Sequence, residues 1–229
     1  MAFSRRHYRT DYVHRGDRAR RRQRVKRYVL ATGMVASLYT VTHLRQKEAN
    51  ASGLSGKQDI HQLQSALDSA TGELNLAKAQ LDRANHILDY STRYKVAADL
   101  ARDIYDIALA EGIEPELAFR LVRLESDFNE HATSPVGAVG LTQVMVPTAN
   151  FYQKGITRER LYRRDTNLRI GFRYLRGLIR EYKGDTNLAL LVYNRGEVAV
   201  RAARQQGVNP SNGYDRIIMK GYRGKATVD

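Results

Sequence analysis

Glu125 is the residue of this sequence best placed for acid–base chemistry. It follows a segment whose apolar residues recur at helical spacing, and Pro115 suits the first turn of that helix because its missing N–H needs no partner there. A loop rich in Ser, Gly and Pro follows. A carboxylate at the end of a buried helix loses part of its hydration, which raises its pKa and keeps a proton available near neutral pH. The pattern therefore predicts a general acid at Glu125.

No second carboxylate near Glu125 has a suitable spacing. A mechanism with two carboxylates needs a second acidic residue as base or nucleophile. Asp127 is two residues further on, which directs it away from Glu125 if the helix persists, and Glu130 lies in the loop. The six His residues are scattered, and we predict neither a metal site nor a cofactor. A mechanism with one carboxylate is therefore favoured.

Four blocks of residues at characteristic spacing extend from Glu125 towards the end of the chain. The first contains Glu125-Ser126, Phe128, Ala132, Ser134, Gly137-Ala138, Gly140-Leu141 and Gln143. The others contain Gly171 and Tyr174-Leu175, then Ala189, Tyr193-Asn194 and Gly196, then Tyr214 and Ile217-Ile218. In this order the blocks resemble the lytic transglycosylase family of the soluble-transglycosylase (SLT) type. The resemblance covers roughly residues 96–229.

The resemblance implies an all-α, lysozyme-like fold of the goose type. It also implies an enzyme that cleaves the MurNAc–GlcNAc β-1,4 bond of peptidoglycan without using water. In that family one Glu protonates the glycosidic oxygen and then accepts the proton of the C6 hydroxyl, which attacks C1 and leaves a 1,6-anhydromuramic acid end. The corresponding catalytic residue here is Glu125. The residues that match cleft positions and are expected to bind the sugar are Ser134, Gln143, Met145, Tyr193 and Asn194.

Two other functions remain open for residues 96–229. The domain could be a peptidoglycan hydrolase (muramidase), or a weakly active scaffold that binds peptidoglycan. An intact Glu125 argues against the scaffold.

The charge of the chain is concentrated at its N-terminus. The formal net charge is +14, and residues 1–27 carry 11 Lys and Arg against 2 Asp, whereas residues 96–229 carry 20 against 16. The basic arm is typical of a cytoplasmic flank that sets membrane topology. The near balance of residues 96–229 makes nucleic acid an unlikely partner. The chain has no Cys, which excludes disulfides and thiolate metal sites.

Residues 28–44 form the longest uncharged stretch of the chain. Seventeen residues at about 1.5 Å each span about 25 Å, the short end of a membrane helix. With the basic arm on one side, they predict an anchor in the cytoplasmic membrane and an extracytoplasmic remainder. The alternative is a signal segment cleaved after Ala51, which would make the protein secreted.

Residues 58–95 are predicted to form one long helix. Ile60, Leu67, Leu74, Leu81 and Leu88 recur every seven residues, and Leu63 with several alanines fills the intermediate positions. One interpretation is a coiled-coil stalk that forms a homodimer. The other is a single amphipathic helix lying on the catalytic domain, which begins at Val96.

Overall fold

The computed structural model describes residues 37–43 and 56–228. The chain divides into two compact units, residues 1–79 and residues 80–229. Among the described residues, no helix is both long enough and apolar enough to cross a membrane. Of the predicted membrane segment 28–44, residues 37–43 are helical (α1), and the rest lies outside the described residues, as do the basic arm 1–27 and Ala51.

The described chain is mostly helical, as predicted. The helices are α2 (Gly56–Tyr94), α3 (Ala98–Ala110), α4 (Pro115–Ser126), α5 (Val146–Tyr152), α6 (Arg158–Leu161), α7 (Arg164–Glu181), α8 (Thr186–Arg195), α9 (Glu197–Gln205) and α10 (Tyr214–Met219). Between α4 and α5, β1 (Ala138–Val139) and β2 (Val144–Met145) form an antiparallel pair in which Ala138 faces Met145. Two-residue strands are too short to produce a recognisable alternation, so the sequence pattern did not predict them.

One buried cluster contains side chains of α3, α4, α7 and α8. Helix α4 contributes Leu117 and Leu121, and α7 contributes Phe172 and Leu175, all fully buried. Their i, i+4 and i, i+3 spacings place each pair on one helix face. Burying one such side chain stabilises the fold by about 1.5–3 kcal/mol. This core therefore fixes the direction of α4, the helix that carries Glu125.

A smaller cluster packs beneath the strand pair. It contains Val139 and Val144 of the two strands, Ala149 of α5, Leu161 of α6 and Ile170 of α7. These side chains anchor the strand pair to three helices, and so hold the loop that follows Glu125.

Helix α2 is continuous over the predicted heptads, but the face that packs on the domain is not the heptad face. Within residues 80–94, Ile87 is buried, and the rings of Tyr90 and Tyr94 pack against Phe119 of α4. Leu81 and Leu88 of the heptad stripe remain 40% and 49% exposed. Successive helical residues point about 100° apart, so burial of Ile87 does not bury Leu88. The compact unit that starts at Gln80 thus includes the last part of α2, whose Ile87, Tyr90 and Tyr94 join the core.

Candidate active site

Glu125 is the penultimate residue of α4, and the chain turns sharply after it. Asp127 and Phe128 both have left-handed backbone conformations, with φ of 48° and 65°. This region is unfavourable for residues with a Cβ, and for a bulky one in particular. The ring of Phe128 lies 5.6 Å from that of Tyr94, in edge contact, and 6.4 Å from that of Phe119. Packing of this ring therefore holds the turn that ends the helix at Glu125.

Ser126 connects the end of α4 to the loop that follows. Its hydroxyl lies within hydrogen-bond distance of two carbonyl oxygens, 2.9 Å from that of Leu141 and 3.1 Å from that of Val122. The first contact spans fifteen residues and holds the loop against the helix. We assign Ser126 a positioning role, because its hydroxyl contacts the backbone of both the helix and the loop.

The carboxyl group of Glu125 is half-buried, and the phenol of Tyr214 donates a hydrogen bond to it. Burial disfavours the charged form and raises the pKa of Glu125 to about 7, while the bond from Tyr214 acts in the opposite direction. A carboxyl group with this pKa can give and accept a proton near neutral pH.

The other acidic side chains of this region are engaged elsewhere or exposed. Glu130 forms an ion pair of 2.6 Å with Arg164, which also pairs with Asp103 of α3. Asp127 is exposed. Burial raises the pKa of Glu125, and the hydrogen bond from Tyr214 lowers it. Glu125 is thus the carboxylate of this site that burial prepares for proton transfer.

In the segment between α4 and β2, the side chains of two predicted sugar-binding residues form hydrogen bonds with the backbone. The Ser134 hydroxyl accepts a hydrogen bond from the Ala138 N–H at 3.0 Å. The side-chain nitrogen of Gln143 donates to the carbonyl oxygens of Ala132 and Gly140, at 3.2 and 2.9 Å. Both side chains therefore shape the loop.

Asn167 of α7 holds this loop from beneath. Its buried amide oxygen accepts from the Thr142 N–H at 2.8 Å and from the Thr142 hydroxyl at 2.7 Å. Its nitrogen donates to the carbonyl oxygens of Val139 and Leu161, at 2.8 and 2.9 Å. Gly140, with φ of 76°, allows this approach, because a Cβ there would clash with the Asn167 amide.

Tyr193 connects the end of α8 to the same loop. Its phenol donates to the Thr142 carbonyl oxygen at 2.8 Å. Burial and the charge of Glu125 both raise the pKa of Tyr193, and Tyr193 in turn helps to raise the pKa of Tyr214. The structure thus brings Glu125, Tyr193 and Tyr214 together.

The two remaining predicted residues lie at the surface. Met145 is 41% exposed at the end of β2. Asn194 is exposed near the end of α8, and its side-chain oxygen accepts a hydrogen bond from the Asn212 amide at 2.9 Å. Asn212 belongs to the loop that leads into α10, so Asn194 connects α8 with the segment that carries Tyr214.

Tyr214 is the functional residue that sequence reasoning missed. Its position matches the fourth block of the family pattern, but the sequence indicates no role for it. The contact with Glu125 joins residues that are 89 positions apart. No local pattern marks such a contact, because a buried Tyr at a helix start more often serves packing.

We expect Tyr214→Phe to move the pH dependence of catalysis. The phenol stabilises the charged form of Glu125, so its removal raises the Glu125 pKa further. An acid must be protonated to act, and the decline of kcat/KM above pH 7 should therefore move to higher pH. We also expect a loss of roughly tenfold at pH 6, because the bond orients the carboxyl. Initial rates on peptidoglycan between pH 5 and pH 9 measure both effects.

Tyr193→Phe is the matched control for this experiment. It also removes one phenol of the site, but that phenol bonds to the Thr142 carbonyl and not to Glu125. The activity of this variant can fall, but the decline of its kcat/KM above pH 7 should occur at the same pH as in the wild type. Equal shifts in the two variants would contradict a specific effect of Tyr214 on Glu125.

Comparison with known proteins places the site within a known domain. Residues 104–212 match the family model described as the transglycosylase SLT domain. A membrane-bound lytic murein transglycosylase C from Actinobacillus pleuropneumoniae serotype 5b (strain L20) is 38% identical over 103 residues, which cover 39% of this chain and 28% of that protein.

Among solved structures, an inactive mutant of the lytic transglycosylase Slt from Pseudomonas aeruginosa is 27% identical, with a TM-score of 0.44. That match covers 50% of this chain and 21% of the other. The 70-kDa soluble lytic transglycosylase of Escherichia coli is 24% identical, with a TM-score of 0.47, over 57% of this chain and 24% of the other.

These matches span only 21% to 28% of the other proteins' lengths. The matched segment contains every residue predicted for the site, and Tyr214 lies two positions beyond it. Residues 104–212 of this chain therefore belong to the transglycosylase SLT domain family.

Proposed function

We propose that this protein is a lytic transglycosylase that cleaves the MurNAc–GlcNAc β-1,4 bond of peptidoglycan and leaves 1,6-anhydromuramic acid ends. The observation that carries the proposal is a half-buried Glu125 with a pKa of about 7, bonded to Tyr214 in an SLT domain. The membrane-bound relative is named as a murein transglycosylase, which agrees with this substrate class.

The proposed reaction uses Glu125 twice. Its carboxyl group first donates a proton to the glycosidic oxygen while the bond from that oxygen to C1 breaks. The resulting carboxylate then takes the proton of the C6 hydroxyl, whose oxygen bonds to C1 of the same sugar. The proton ends on Glu125, and water is not consumed. A pKa near 7 suits both steps, and Tyr214 stabilises the carboxylate between them.

We propose the five predicted residues as sugar contacts. Met145 offers exposed apolar surface to a sugar face, and the half-buried ring of Tyr193 offers part of a second apolar surface. Ser134 accepts a backbone N–H, which leaves its hydroxyl proton for a sugar oxygen. Gln143 donates its amide protons to the loop, which leaves its carbonyl for a sugar hydroxyl or amide. Asn194 contributes an exposed amide.

The products distinguish this reaction from that of a muramidase. We expect muropeptides from digested sacculi to be lighter by one water than hydrolytic products, as mass spectrometry measures. In ¹⁸O-labelled water the new ends should carry no label. Reducing ends that carry ¹⁸O would show that water is the nucleophile, and an undigested sacculus would favour the binding scaffold.

We propose that the protein acts on the outer side of the cytoplasmic membrane. The charge asymmetry around residues 28–44 supports an anchor, and a membrane-bound relative agrees with it. Cleavage after Ala51 would instead release the protein. A reporter fused after Leu54 should be active only outside the cytoplasm, and membrane-bound protein that starts at Met1 would distinguish the anchor from cleavage.

We further propose that the heptad face of α2 mediates contact between two copies of the chain. Leu67 and Leu74 are 66% and 53% exposed, and within residues 80–94 the heptad residues Leu81 and Leu88 are also partly exposed. Leu67→Asp with Leu74→Asp should convert a dimer to a monomer in sedimentation analysis, because charges at seam positions oppose coiled-coil packing. Gln62→Asp with Ser69→Asp, at outward positions of the heptads, is the control. A wild-type protein that sediments as a monomer at all concentrations would contradict the proposal.

A further inference from the structure

Helix α10, which carries Tyr214, is too short to hold its position alone. It has six residues, which make about 9 Å of helix. Isolated helices shorter than about 12–15 residues are marginal in water, so a helix this short depends on its tertiary contacts. The side chains of Tyr214 and Ile218 are buried in the core. The place of the Tyr214 phenol beside Glu125 therefore depends on the contacts that fix α10.

Arg120 of α4 holds the end of α10. One nitrogen of its guanidinium donates to the carbonyl oxygens of Ile218 and Lys220, at 2.8 and 2.7 Å. Carbonyl groups in the last turn of a helix have no partner within the helix, so they accept donors from elsewhere. The ring of Tyr222, just beyond α10, has its centroid 5.6 Å from the guanidinium carbon, within cation–π range. Arg120 thus contacts both the end of α10 and the segment that follows it.

The guanidinium of Arg120 is itself held in one orientation. Its Nε donates to the carboxylate of Glu116, one helical turn earlier, at 2.8 Å. Glu116 also pairs with Arg93 of α2 at 2.8 Å and accepts a hydrogen bond from the phenol of Tyr94 at 3.4 Å. Arg120 and Glu116 are both half-buried, and the planar guanidinium can bond to several partners in a fixed geometry. Arg120 therefore presents a fixed donor to α10.

Helix α10 is thus attached to α4 at two points. Its first residue, Tyr214, bonds to Glu125, and its last turn bonds to Arg120, five residues earlier in α4. Five residues correspond to about 7.5 Å along a helix. Two attachments at this separation fix the position of α10 along α4 and the direction in which it points. Tyr193 of α8, a second titratable group near Glu125, bonds instead to the Thr142 carbonyl.

We propose that Arg120 is a positioning residue: by binding the end of α10, it keeps the Tyr214 phenol in hydrogen-bond contact with Glu125. The inference rests on the proposed function, in which Glu125 is the acid and the base. It adds a residue that acts on Glu125 through the position of a second helix.

The test compares kcat/KM at pH 9 with kcat/KM at pH 6, measured as release of anhydro ends by the full chain. Glu125 must be protonated to donate, so a weaker bond from Tyr214 raises its pKa and increases this ratio. We expect Arg120→Gln to increase the ratio roughly threefold. A general loss of folded enzyme lowers both rates and leaves the ratio unchanged.

Arg123→Gln is the matched control. Arg123 lies on the same helix and nearer to Glu125, but its guanidinium lies over the ring of Tyr94, 6.0 Å from the centroid. The substitution removes the same charge from α4 and should leave the ratio unchanged. Equal increases in Arg120→Gln and Arg123→Gln would show that charge and not position is responsible, and would overturn the inference.

Two further variants show whether Arg120 acts through Tyr214. In a Tyr214→Phe background the phenol is already absent, so Arg120→Gln should increase the ratio no further. A further increase of the same size would overturn the inference. Arg120→Lys keeps the charge and changes the core least, but an ammonium lacks the planar fork that bonds Glu116 and α10 together. It should also increase the ratio, and a wild-type ratio in Arg120→Lys would overturn the inference.

A second measurement needs no substrate. Carbon-13 NMR of the Glu carboxyl groups, with the Glu125 signal identified by its loss in Glu125→Gln, follows the titration of Glu125 in the full chain. Glu125 should titrate at higher pH in Arg120→Gln than in the wild type, as in Tyr214→Phe. If it does so but no anhydro ends form, the proposed function fails and the role of Arg120 stands. If anhydro ends form and the titration is unchanged, the proposed function stands and the inference fails.

Discussion

Replacement of Glu125 by Gln is expected to lower the rate of peptidoglycan cleavage by about 10⁴-fold or more. Positioned acid–base help alone contributes about 10²–10⁴-fold, and here one residue is proposed for both proton transfers. Gln keeps the shape of the side chain and can still accept the bond from Tyr214, but it cannot deliver a proton. Release of anhydro ends from sacculi measures the loss.

The same substitution should stabilise the fold in alkaline solution. The folded pKa of Glu125, about 7, lies above its ordinary value of 4.5, so the stability of the wild type is fully present below about pH 4.5 and declines as the pH rises to 7. Gln is neutral and avoids this penalty. We therefore expect the free energy of unfolding of the variant to exceed that of the wild type by about 1–3 kcal/mol at pH 8 and to be similar at pH 4.

Two controls separate the loss of the acid from a general loss of charge. Glu130→Gln weakens the ion pair with Arg164, and Asp127→Asn changes an exposed residue of the same turn. Both should retain most of the activity. If Glu125→Gln retains more activity than either control, the catalytic assignment is wrong.

Replacement of Asn167 by Leu is expected to lower the free energy of unfolding by about 3–6 kcal/mol. Leu has a similar size but leaves the Thr142 N–H and the Val139 and Leu161 carbonyl groups without their partner. Each buried polar group that loses its partner costs about 1–3 kcal/mol. Denaturant unfolding followed by circular dichroism measures the change.

Activity should fall together with stability, because Asn167 supports the loop whose Thr142 carbonyl receives the phenol of Tyr193. Asn150→Leu is the matched control. Asn150 also makes three backbone contacts, to Val146, Ile156 and Gly155, but it is only half-buried and lies at the end of another helix. The control should lose less stability and keep its activity. Equal losses of unfolding free energy in the two variants would indicate that the buried network of Asn167 stabilises the fold no more than the contacts of the half-buried Asn150.

Local properties of the chain determined the helical class and the position of Glu125 at a helix end. Helical periodicity from Pro115 and the change to a Ser- and Gly-rich loop both lie within a short window. The heptads likewise predicted the continuous helix α2. They did not predict which face packs on the domain, because Ile87, Tyr90 and Tyr94 form no long repeat. Their burial depends on the partner surface that α4 presents.

Contacts across the chain were decided only by the tertiary structure. Tyr214 meets Glu125 across 89 positions, and the Asn167 amide meets Thr142 across 25. Burial at the end of α4, which sets the pKa of Glu125 near 7, likewise requires α10 to pack against α4. Spacing along a sequence specifies which residues share a helix face. It does not specify which distant donor fills the remaining space beside a carboxylate, since that follows from how the helices pack into one core.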